Sequence, residues 1–315
     1  MSARRSTVAT TAVAEALRRL AGFAVADAPL GALTTYRVGG TAAVFAAPRS
    51  IDELREVGST SAATGLEMLV VGRGSNMLVA DAGFGGIAVS LAALGATVEI
   101  ESTCVRAGAA VLLPVLARRT ASAGLTGFEW AVGVPGSIGG AVRMNAGGHG
   151  SDISACLVNA QILDLRSGED RVWPAAEIGL RFRGSGLGDE HAVVAAELQL
   201  AAGDRVRSED ELAEIVRWRR EHQPGGQNAG SVFVNPVPGE LAAAELVDRL
   251  RLRGFSIGGA SVSAKHANFI QASERATAAD VRAVIEHVRG RVAAETGYLL
   301  RSEVRLVGFA DAVDP

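Results

Sequence analysis

The order of apolar and polar residues predicts short helices and short strands, beginning with an amphipathic helix over residues 8–20. The segment SIDELREVGSTSAATG predicts a second helix, with a capping box at Ser50 and Glu53 and an end at Gly65. Ahead of it, YRVGGTAAVFAAP predicts two strands around a glycine turn. After it, EMLVVG and GIAVSL are short apolar runs that predict buried strands. The first part of the chain therefore combines helices with β-structure.

From about residue 96 to residue 202 the pattern is mostly that of strands, with one helix. TVEIES and CVRAGA predict a hairpin, and LVNAQILDLRSGEDRVW predicts another around its RSGED turn. HAVVAAELQLAAG predicts a strand with apolar residues at alternate positions. The helix is predicted from LLPVLARRTASAGL and is closed by Gly124.

The region after residue 207 has three segments with helical spacing. SEDELAEIVRWRREHQ predicts a helix with a capping box at Ser208 and Glu211, and GELAAAELVDRLRLRG predicts one stopped by Gly254. TAADVRAVIEHVRGRVAAETG has its valines and Ile285 on one stripe. FSIGGASVSAKHANFIQA predicts strands, and YLLRSEVRLVGF predicts a last, alternating strand. Helices and strands do not alternate steadily, so the pattern predicts an α+β fold without internal repeats.

Composition narrows the classes of function. The 315 residues are 48% hydrophobic and 21% charged, which excludes a disordered chain. A net charge of −3 and 4% aromatic residues do not indicate a protein that binds nucleic acid or an acidic membrane surface. Cys104 and Cys156 lie in apolar contexts without ligand spacing, which predicts buried free thiols and no metal site. Neither a signal peptide nor a membrane-spanning run is apparent, so a cytoplasmic protein is expected.

A first glycine-rich segment, GRGSNMLVADAGFGG, follows a predicted strand. A Rossmann dinucleotide site requires glycine where this segment has Met77, and a helix directly afterwards, so that interpretation fails. Gly72 and Gly74 can turn backbone N–H groups toward a phosphate, and Ser75 and Asn76 add uncharged donors. The alternative is a plain hairpin turn.

A second segment, GVPGSIGGAVRMNAGG, contains six glycines in 16 residues. Glycine costs about 0.5–1 kcal/mol relative to alanine within regular structure, so such density is typical of a backbone that approaches a ligand closely. The pair of segments leads to the hypothesis of a dinucleotide cofactor bound by a fold other than the Rossmann fold. The residues of this run that could contact it are Gly133, Pro135, Gly136, Ser137, Gly139, Gly140 and Asn145.

Six segments in one order resemble the UDP-N-acetylenolpyruvoylglucosamine reductase family: GRGSNMLVADAGFGG, GVPGSIGGAVRMNAGG, LRFRGSG, NAGSVFVNP, VSAKHANFI and RSEVRLVG. The resemblance runs from about Leu33 to Gly308 and is to the shorter class, which lacks a loop insertion over the substrate. It implies a vanillyl-alcohol-oxidase-type FAD-binding fold of two α+β subdomains with an α+β substrate-binding domain. The expected parts are a lead-in (1–26), FAD subdomains (27–95 and 96–205), the substrate domain (206–300) and a C-terminal strand and tail (301–315).

The resemblance implies an enzyme that uses NADPH and non-covalently bound FAD to reduce the enolpyruvyl group of UDP-N-acetylglucosamine enolpyruvate to UDP-N-acetylmuramate, in peptidoglycan precursor synthesis. The expected partners are these small molecules alone, and the expected state is a monomer. From the first glycine-rich segment, the implied FAD contacts are Gly72, Gly74, Ser75, Asn76, Met77 and Leu78. His149 lies where covalent flavin attachment is conceivable, but a polar turn residue is the preferred interpretation.

Three residues match the family's catalytic groups. Ser231, in NAGSVFVNP, matches the proton donor, whereas the residue pattern alone favours a serine bonded to its own turn. Glu303, in RSEVRLVG, matches the catalytic glutamate, whereas its spacing from Arg301 and Arg305 favours a solvated row of charges. Arg183, in LRFRGSG, matches the arginine that holds the substrate carboxylate through its planar guanidinium.

Two positions depart from the family pattern. Phe182 stands where the family usually has tyrosine, so a phenol hydrogen bond is lost. Val234 stands where many members have lysine, and Lys265 is the only lysine of this chain. The resemblance implies substrate contacts from Arg219, Asn235, Lys265, His266 and Asn268. For Arg219 and Arg220 the alternative is a solvated helix face, and for His266 and Asn268 it is structural hydrogen bonding.

Two other functions remain possible on the sequence. An FAD-linked sugar or alcohol oxidase would share the fold but would have no need for the serine and glutamate motifs. A non-catalytic flavin- or nucleotide-binding protein would tolerate the departures at Phe182 and Val234, but Arg183, Ser231 and Glu303 are all present.

Overall fold

The computed structural model describes residues 2–310, with side chains from residue 10 onward. The chain divides into two compact units, each assembled from separate stretches of sequence. Unit 1 comprises residues 2–28, 42–73 and 85–219, and unit 2 comprises residues 29–41, 74–84 and 220–310. The five-part division expected from the sequence stays a prediction.

Helices and strands are numbered separately in chain order. The helices are α1 (Ser2–Arg19), α2 (Ile51–Thr64), α3 (Leu113–Ser122), α4 (Ile138–Met144), α5 (Arg205–His222), α6 (Ala243–Arg249) and α7 (Ala278–Thr296). The first nine strands are β1 (Ala24–Ala28), β2 (Ala42–Ala46), β3 (Met68–Val71), β4 (Met77–Val79), β5 (Phe84–Ser90), β6 (Val98–Glu101), β7 (Cys104–Gly108), β8 (Leu125–Thr126) and β9 (Gly147–Gly148). The other nine are β10 (Ser151–Asp152), β11 (Leu157–Asp164), β12 (Asp170–Pro174), β13 (His191–Gln199), β14 (Ala201–Ala202), β15 (Ser256–Ile257), β16 (Ala260–Val262), β17 (Ile270–Ala272) and β18 (Arg305–Val307).

Unit 1 is organised around two sheets. A four-stranded sheet has the order β1-β2-β5-β3, in which β1 and β2 are antiparallel and β3 and β5 are parallel. A five-stranded antiparallel sheet has the order β12-β11-β13-β7-β6. Helix α2 begins as predicted, since the Ser50 hydroxyl accepts a hydrogen bond from the N–H of Glu53, and it ends at Gly65 in the left-handed conformation. The Glu53 carboxylate accepts from the N–H of Arg49, one residue before the capping-box position.

Unit 2 is built around helix α7 and the small sheet β15-β16-β17. The predicted stripe on α7 is confirmed, because Val281, Val284, Ile285, Val288 and Val292 are all buried. A true capping box at Thr277 and Asp280 starts this helix. The Asp81 carboxylate accepts hydrogen bonds from the next two N–H groups of α7, those of Ala278 and Ala279. The segment after β4 is thereby fastened to the helix, where its negative charge also suits the helix dipole.

The strand predicted ahead of β2 is wrong for the stretch from Tyr36 to Gly40, which is irregular. Arg37 has a φ of +55° and Gly39 a φ of +104°, and neither value fits a strand. A Cβ at Gly39 would lie 2.1 Å from the carbonyl oxygen of Val79. Gly39 is therefore a point of close backbone approach to β4.

The second glycine-rich segment is not one continuous loop, because α4 occupies residues 138–144. Sequence reasoning missed this helix, since glycine disfavours helices. A Cβ at Gly139 would lie 2.9 Å from the Cβ of Ala109, so this glycine permits close packing of α4. The predicted alternation of β13 is also wrong: Ala192 to Ala196 are all buried, because β13 is the central strand of its sheet and is covered on both faces.

Helix α5 begins three residues before the predicted cap at Ser208. The Asp204 carboxylate accepts from the N–H of Arg207 and acts as the N-terminal cap instead. Ser208 lies inside the helix, where its buried hydroxyl donates to the buried carboxylate of Glu129 at 2.6 Å. Ser208, which was predicted to cap the helix, thus forms a tertiary hydrogen bond instead.

Two further elements are shorter than predicted. Helix α6 ends at Arg249 rather than at Gly254, and Arg251 adopts a φ of +55° that stops the helix. The last strand is regular only over β18, because the preceding residues make isolated bridges.

Of the two free thiols, Cys156 is buried, which raises its pKa to about 12, whereas Cys104 is only half-buried.

Gly58 on α2 gives a test of packing in unit 1. A Cβ there would lie 1.9 Å from the carbonyl oxygen of Leu165, so Gly58→Ala is expected to lower the free energy of unfolding by about 1–3 kcal/mol. Gly290 on α7 is exposed with no atom within 4 Å of a Cβ, and Gly290→Ala is expected to raise that free energy by up to about 1 kcal/mol. Denaturant unfolding measures both, and a neutral Gly58→Ala would contradict the close contact.

Candidate functional site

Ser231 begins a short extended segment of unit 2 that is hydrogen-bonded on one side to Asn268. The N–H of Val232 donates to the Asn268 carbonyl oxygen at 2.9 Å. The N–H of Phe233 donates to the Asn268 side-chain oxygen at 2.9 Å, and the Asn268 amide nitrogen donates to the Phe233 carbonyl oxygen at 2.8 Å. Asn268 is buried, so its side chain is committed to the protein backbone. This geometry favours the structural alternative for Asn268.

Glu303 lies on the other side of the same segment. Its N–H donates to the carbonyl oxygen of Val232 at 2.7 Å, and the N–H of Val234 donates to the carbonyl oxygen of Arg301 at 3.0 Å. We call residues 266–269, 231–234 and 301–305 together the Ser231–Glu303 ladder. The structure thus brings two of the three expected catalytic residues onto neighbouring segments, although their sequence positions are far apart.

The Ser231 hydroxyl is available to a ligand. The turn before it is held by Asn228, whose side-chain oxygen accepts from the N–H of Gly230 at 3.0 Å, and Gly230 has a φ of +77°. Within residues 10–310 the Ser231 hydroxyl itself makes no hydrogen bond, and the residue is exposed. The alternative of a serine bonded to its own turn is therefore wrong.

Tyr36 lies beneath this turn and was missed by sequence reasoning, which assigned it to a strand. Its side chain is fully buried in the same apolar cluster as Ala229, and its hydroxyl has no hydrogen-bond partner among the described residues. Burial raises the pKa of the Tyr36 phenol far above its ordinary value, with the Ala229 amide opposing the shift. A neutral, rigid ring thus supports the turn that presents Ser231.

The first glycine-rich segment reaches the ladder through Asn76. Its amide nitrogen donates to the carbonyl oxygen of Glu303 at 2.7 Å, and its own carbonyl oxygen accepts from the N–H of Arg305 at 3.0 Å. Met77 and Leu78 begin β4, which pairs in parallel with β18, and their side chains are buried. FAD contacts by these residues remain predictions.

Gly74 and Ser75 lie in the same turn of unit 2. Gly74 is buried with a φ of +60°, and a Cβ there would lie 2.8 Å from the Cα of Thr34. Its carbonyl oxygen accepts from the N–H of Thr35 at 3.2 Å. The buried Thr35 hydroxyl has no hydrogen-bond partner in the described part of the chain. No sequence signal singled out Thr35.

In unit 1, three of the expected FAD contacts, Gly72, Ser137 and Gly140, lie near one another. A Cβ at Gly72 would lie 2.7 Å from the Ser137 hydroxyl oxygen, and one at Gly140 would lie 3.7 Å from it. Ser137 is the residue before α4, yet its side chain makes no capping hydrogen bond. A side chain at Gly72 would collide with the Ser137 hydroxyl, and an uncharged hydroxyl donor of this kind is suited to a phosphate group.

The other residues of the second segment have different surroundings. Pro135 is exposed, and the Gly136 carbonyl oxygen accepts from the N–H of Leu113 at 3.0 Å. A Cβ at Gly133 would lie 2.9 Å from the His149 ring, which also packs edge-on against Trp218. Partial burial, and next the charge of Arg219, lower the pKa of His149. A neutral, packed imidazole agrees with its interpretation as a turn residue.

Arg183 lies in unit 1, in a tight turn closed by hydrogen bonds between Arg181 and Gly184. It is half-buried, has a φ of +55°, and its guanidinium lies 5.2 Å from the centre of the exposed Phe182 ring. The amide of Asn145 donates to the Arg181 carbonyl oxygen at 3.1 Å. Asn145, which was expected to contact FAD, therefore also supports the turn that carries Arg183.

The expected substrate contacts are spread over both units. In unit 1, Arg219 is half-buried, burial lowers its pKa, and within residues 10–310 its guanidinium has no acidic partner. In unit 2, the Asn235 side chain accepts from the N–H of Ala243, and the Lys265 ammonium donates to the Arg220 carbonyl oxygen. His266 packs edge-on against Phe269, and burial, then Arg253, lower its pKa. These roles remain predictions.

Two features are not found among residues 2–310. No group of three or more His, Cys, Asp or Glu side chains is arranged to hold a metal ion. No helix combines the length and the apolar character that crossing a bilayer requires.

Comparison with known proteins identifies both parts of the chain. Residues 42–170 match an FAD binding domain, and this range includes Gly72, Ser137 and Gly140. Residues 222–307 match the C-terminal domain of UDP-N-acetylenolpyruvoylglucosamine reductase, and this range includes Ser231 and Glu303. The FAD cofactor and the FAD-binding fold expected from the sequence are therefore confirmed.

Relatives of known name cover nearly the whole chain. The UDP-N-acetylenolpyruvoylglucosamine reductase of Heliobacterium modesticaldum is 41% identical over 89% of both chains, and that of Gloeobacter violaceus is 40% identical over 89% of this chain and 94% of its own. The crystal structure of UDP-N-acetylenolpyruvylglucosamine reductase from Thermus caldophilus matches with a TM-score of 0.77 and 30% identity, over 90% of this chain and 98% of the other. The chain thus belongs to the UDP-N-acetylenolpyruvoylglucosamine reductase family and is an FAD-dependent oxidoreductase.

Proposed function

We propose that this enzyme uses NADPH to reduce the enolpyruvyl group of UDP-N-acetylglucosamine enolpyruvate, giving UDP-N-acetylmuramate for peptidoglycan precursor synthesis. The observation that carries the proposal is the Ser231–Glu303 ladder, which puts a hydroxyl without a protein partner on the segment next to a carboxyl group. The names of the relatives describe the same reaction class. An oxidase of the same fold would need no such proton donor.

Bound FAD supplies the redox chemistry, by which a hydride from NADPH reaches one carbon of the substrate vinyl group. The neighbouring carbon, which carries the carboxylate, then becomes electron-rich and must take a proton. Ser231 donates that proton from its hydroxyl, and because the residue is exposed, water can return a proton to it. A serine hydroxyl is a weak acid, but a carbanion-like carbon is basic enough to accept its proton.

Two other groups manage the charge on the substrate carboxylate. Glu303 is proposed to hydrogen-bond to this end of the substrate. Arg183 is proposed to bind the carboxylate with two parallel N–H donors and to offset the charge that develops beside it. The left-handed φ of Arg183 and the bond from Asn145 to the Arg181 carbonyl support this role, because they fix the turn from which the guanidinium projects.

The diphosphate of the substrate requires a cation other than the lysine replaced by Val234. We assign this role to Arg219, which is half-buried and has no carboxylate partner among residues 10–310. A guanidinium that the protein leaves uncompensated is suited to bind an anion. The Lys265 ammonium is engaged by the Arg220 carbonyl, which favours Arg219 over Lys265. We further propose a monomer in the cytoplasm, where NADPH and sugar nucleotides are available.

A stopped-flow experiment tests the proposal on the purified holoenzyme. NADPH alone is expected to bleach the flavin absorbance, and the enolpyruvyl sugar nucleotide is expected to restore it without oxygen. Restoration by oxygen and not by the sugar nucleotide would instead identify an oxidase. Bleaching by neither nicotinamide cofactor would contradict the assignment of the reductant.

A further inference from the structure

Asn76 is hydrogen-bonded to the main chain of the segment that carries Glu303. The Asn76 amide nitrogen donates to the Glu303 carbonyl oxygen at 2.7 Å, and the Asn76 carbonyl oxygen accepts from the N–H of Arg305 at 3.0 Å. Immediately afterwards, Met77 pairs with Arg305 at the start of the β4–β18 ladder. The side chain of Asn76 thus extends this pairing by one step beyond the regular strands.

Both polar groups of the Glu303 main chain are committed as a result. The N–H is bound by the carbonyl oxygen of Val232, and the C=O is bound by the side chain of Asn76. When both groups are fixed, the direction of the Cα–Cβ bond is fixed as well, and this bond determines where the carboxyl group can reach. Without the Asn76 side chain, the Glu303 carbonyl group would lose its hydrogen-bond partner, although the N–H of Arg305 would still be held by the Asn76 carbonyl oxygen.

Few other side chains could do what asparagine does at position 76. The bond to a carbonyl oxygen requires a donor, and the amide supplies it without charge. Aspartate has the same shape but would place an acceptor oxygen against the Glu303 carbonyl oxygen. Alanine would leave that carbonyl without its partner.

We propose that Asn76 is a positioning residue, which acts through the main chain of Glu303 to hold the carboxyl group in register with Ser231. The inference rests on the proposed function, in that it assigns Asn76 to the stage in which the substrate is protonated. The resemblance implied instead that Asn76 contacts FAD. The two roles differ in their consequences, because a positioning residue affects substrate reduction and a cofactor contact affects flavin retention.

The test compares Asn76→Asp and Asn76→Ala with the wild-type holoenzyme in the two half-reactions. Flavin reduction by NADPH is expected to stay within about twofold of wild type. Reoxidation by the enolpyruvyl sugar nucleotide is expected to slow by up to about 100-fold, the loss that a displacement of about 1 Å produces. Rates are normalised to bound flavin and to the folded fraction. Asn159→Asp, an amide-to-carboxylate change on β11 of unit 1, is the control and should leave both rates unchanged.

A double-variant cycle shows whether Asn76 acts through Glu303. In the Glu303→Gln background, Asn76→Asp is expected to slow reoxidation far less than it does in the wild type, because the group that it positions is gone. A merely structural role would give equal factors in both backgrounds. Hydrogen exchange at the Glu303 N–H reports how firmly the Glu303 main chain is held, and it needs no substrate. Exchange is expected to accelerate in Asn76→Ala.

Three results would overturn the inference: unchanged reoxidation in both variants, equal slowing of both half-reactions, or a rate loss fully explained by lost flavin. The last would make Asn76 a cofactor contact. Failure of the proposed function is distinct, because the wild-type enzyme itself would then not be reoxidised by the sugar nucleotide. In that event, unchanged hydrogen exchange at Glu303 would overturn the positioning role and accelerated exchange would uphold it.

Discussion

Ser231→Ala is expected to slow reoxidation of the reduced flavin by the enolpyruvyl sugar nucleotide by about 10²–10⁴-fold, the usual contribution of a positioned proton donor. Bleaching of the flavin by NADPH is expected to stay at the wild-type rate, because that stage needs no proton from this hydroxyl. The fold should be unaffected, since the hydroxyl makes no hydrogen bond within residues 10–310. Stopped-flow absorbance resolves the two stages in one preparation.

The control is Ser256→Ala, which removes an exposed hydroxyl from β15 of the same unit. It should leave both stages unchanged. Equal slowing of the two stages in Ser231→Ala would show that Ser231 serves binding or structure, and not proton donation. A solvent deuterium effect on reoxidation in the wild-type enzyme would add support, because the transferred proton comes from an exchangeable hydroxyl.

Gly140→Val is expected to abolish flavin retention while leaving the protein folded. The valine Cβ would lie 3.7 Å from the Ser137 hydroxyl oxygen, which is an ordinary contact, so the protein itself has room for it. The added methyl groups would fill the space beside Gly72 and Ser137 that is proposed to receive the pyrophosphate. The flavin-to-protein ratio after gel filtration, together with a thermal unfolding curve of the apoprotein, measures both outcomes.

Gly85→Val provides the matched control in unit 1. Gly85 lies on β5, is exposed, has no atom within 4 Å of a Cβ, and tolerates a β-branched residue in its strand. Its flavin content should equal that of the wild type. Full flavin content in Gly140→Val would show that this part of the second glycine-rich segment does not border the cofactor.

Local sequence signals gave most of the helices and strands of this fold. These signals led to wrong predictions where one side chain had two possible hydrogen-bond partners. Ser208 has the spacing of a cap, but the buried carboxylate of Glu129 is the acceptor for its hydroxyl, and Asp204 caps α5. They failed again at α4, where glycine lowers helix propensity but permits the approach to Ala109 that packing requires. Tertiary contacts decided both cases, and no local pattern contains them.

The site shows the same limit. Motifs singled out Asn76, Asn145 and Asn268 as contacts for a cofactor or a substrate. In the structure each amide binds the backbone of a segment that carries Glu303, Arg183 or Ser231, respectively. A motif gives the identity of a residue and its neighbours in the chain, but not the direction of its side chain. Tyr36 and Thr35 were missed for the same reason, because burial of their hydroxyl groups is visible only in three dimensions.

The pairing of β4 with β18 sets a time at which the enzyme can become active during its synthesis. Asn76 and Glu303 are separated by 227 positions, so the earlier partner leaves the ribosome long before the later one exists. Until the nascent chain extends past Val307, β4 lacks the strand with which it pairs. The amino-terminal parts can fold first, but the Ser231–Glu303 ladder is completed last. Truncation before Arg305 would remove β18, the strand that pairs with β4, and is expected to give an inactive enzyme.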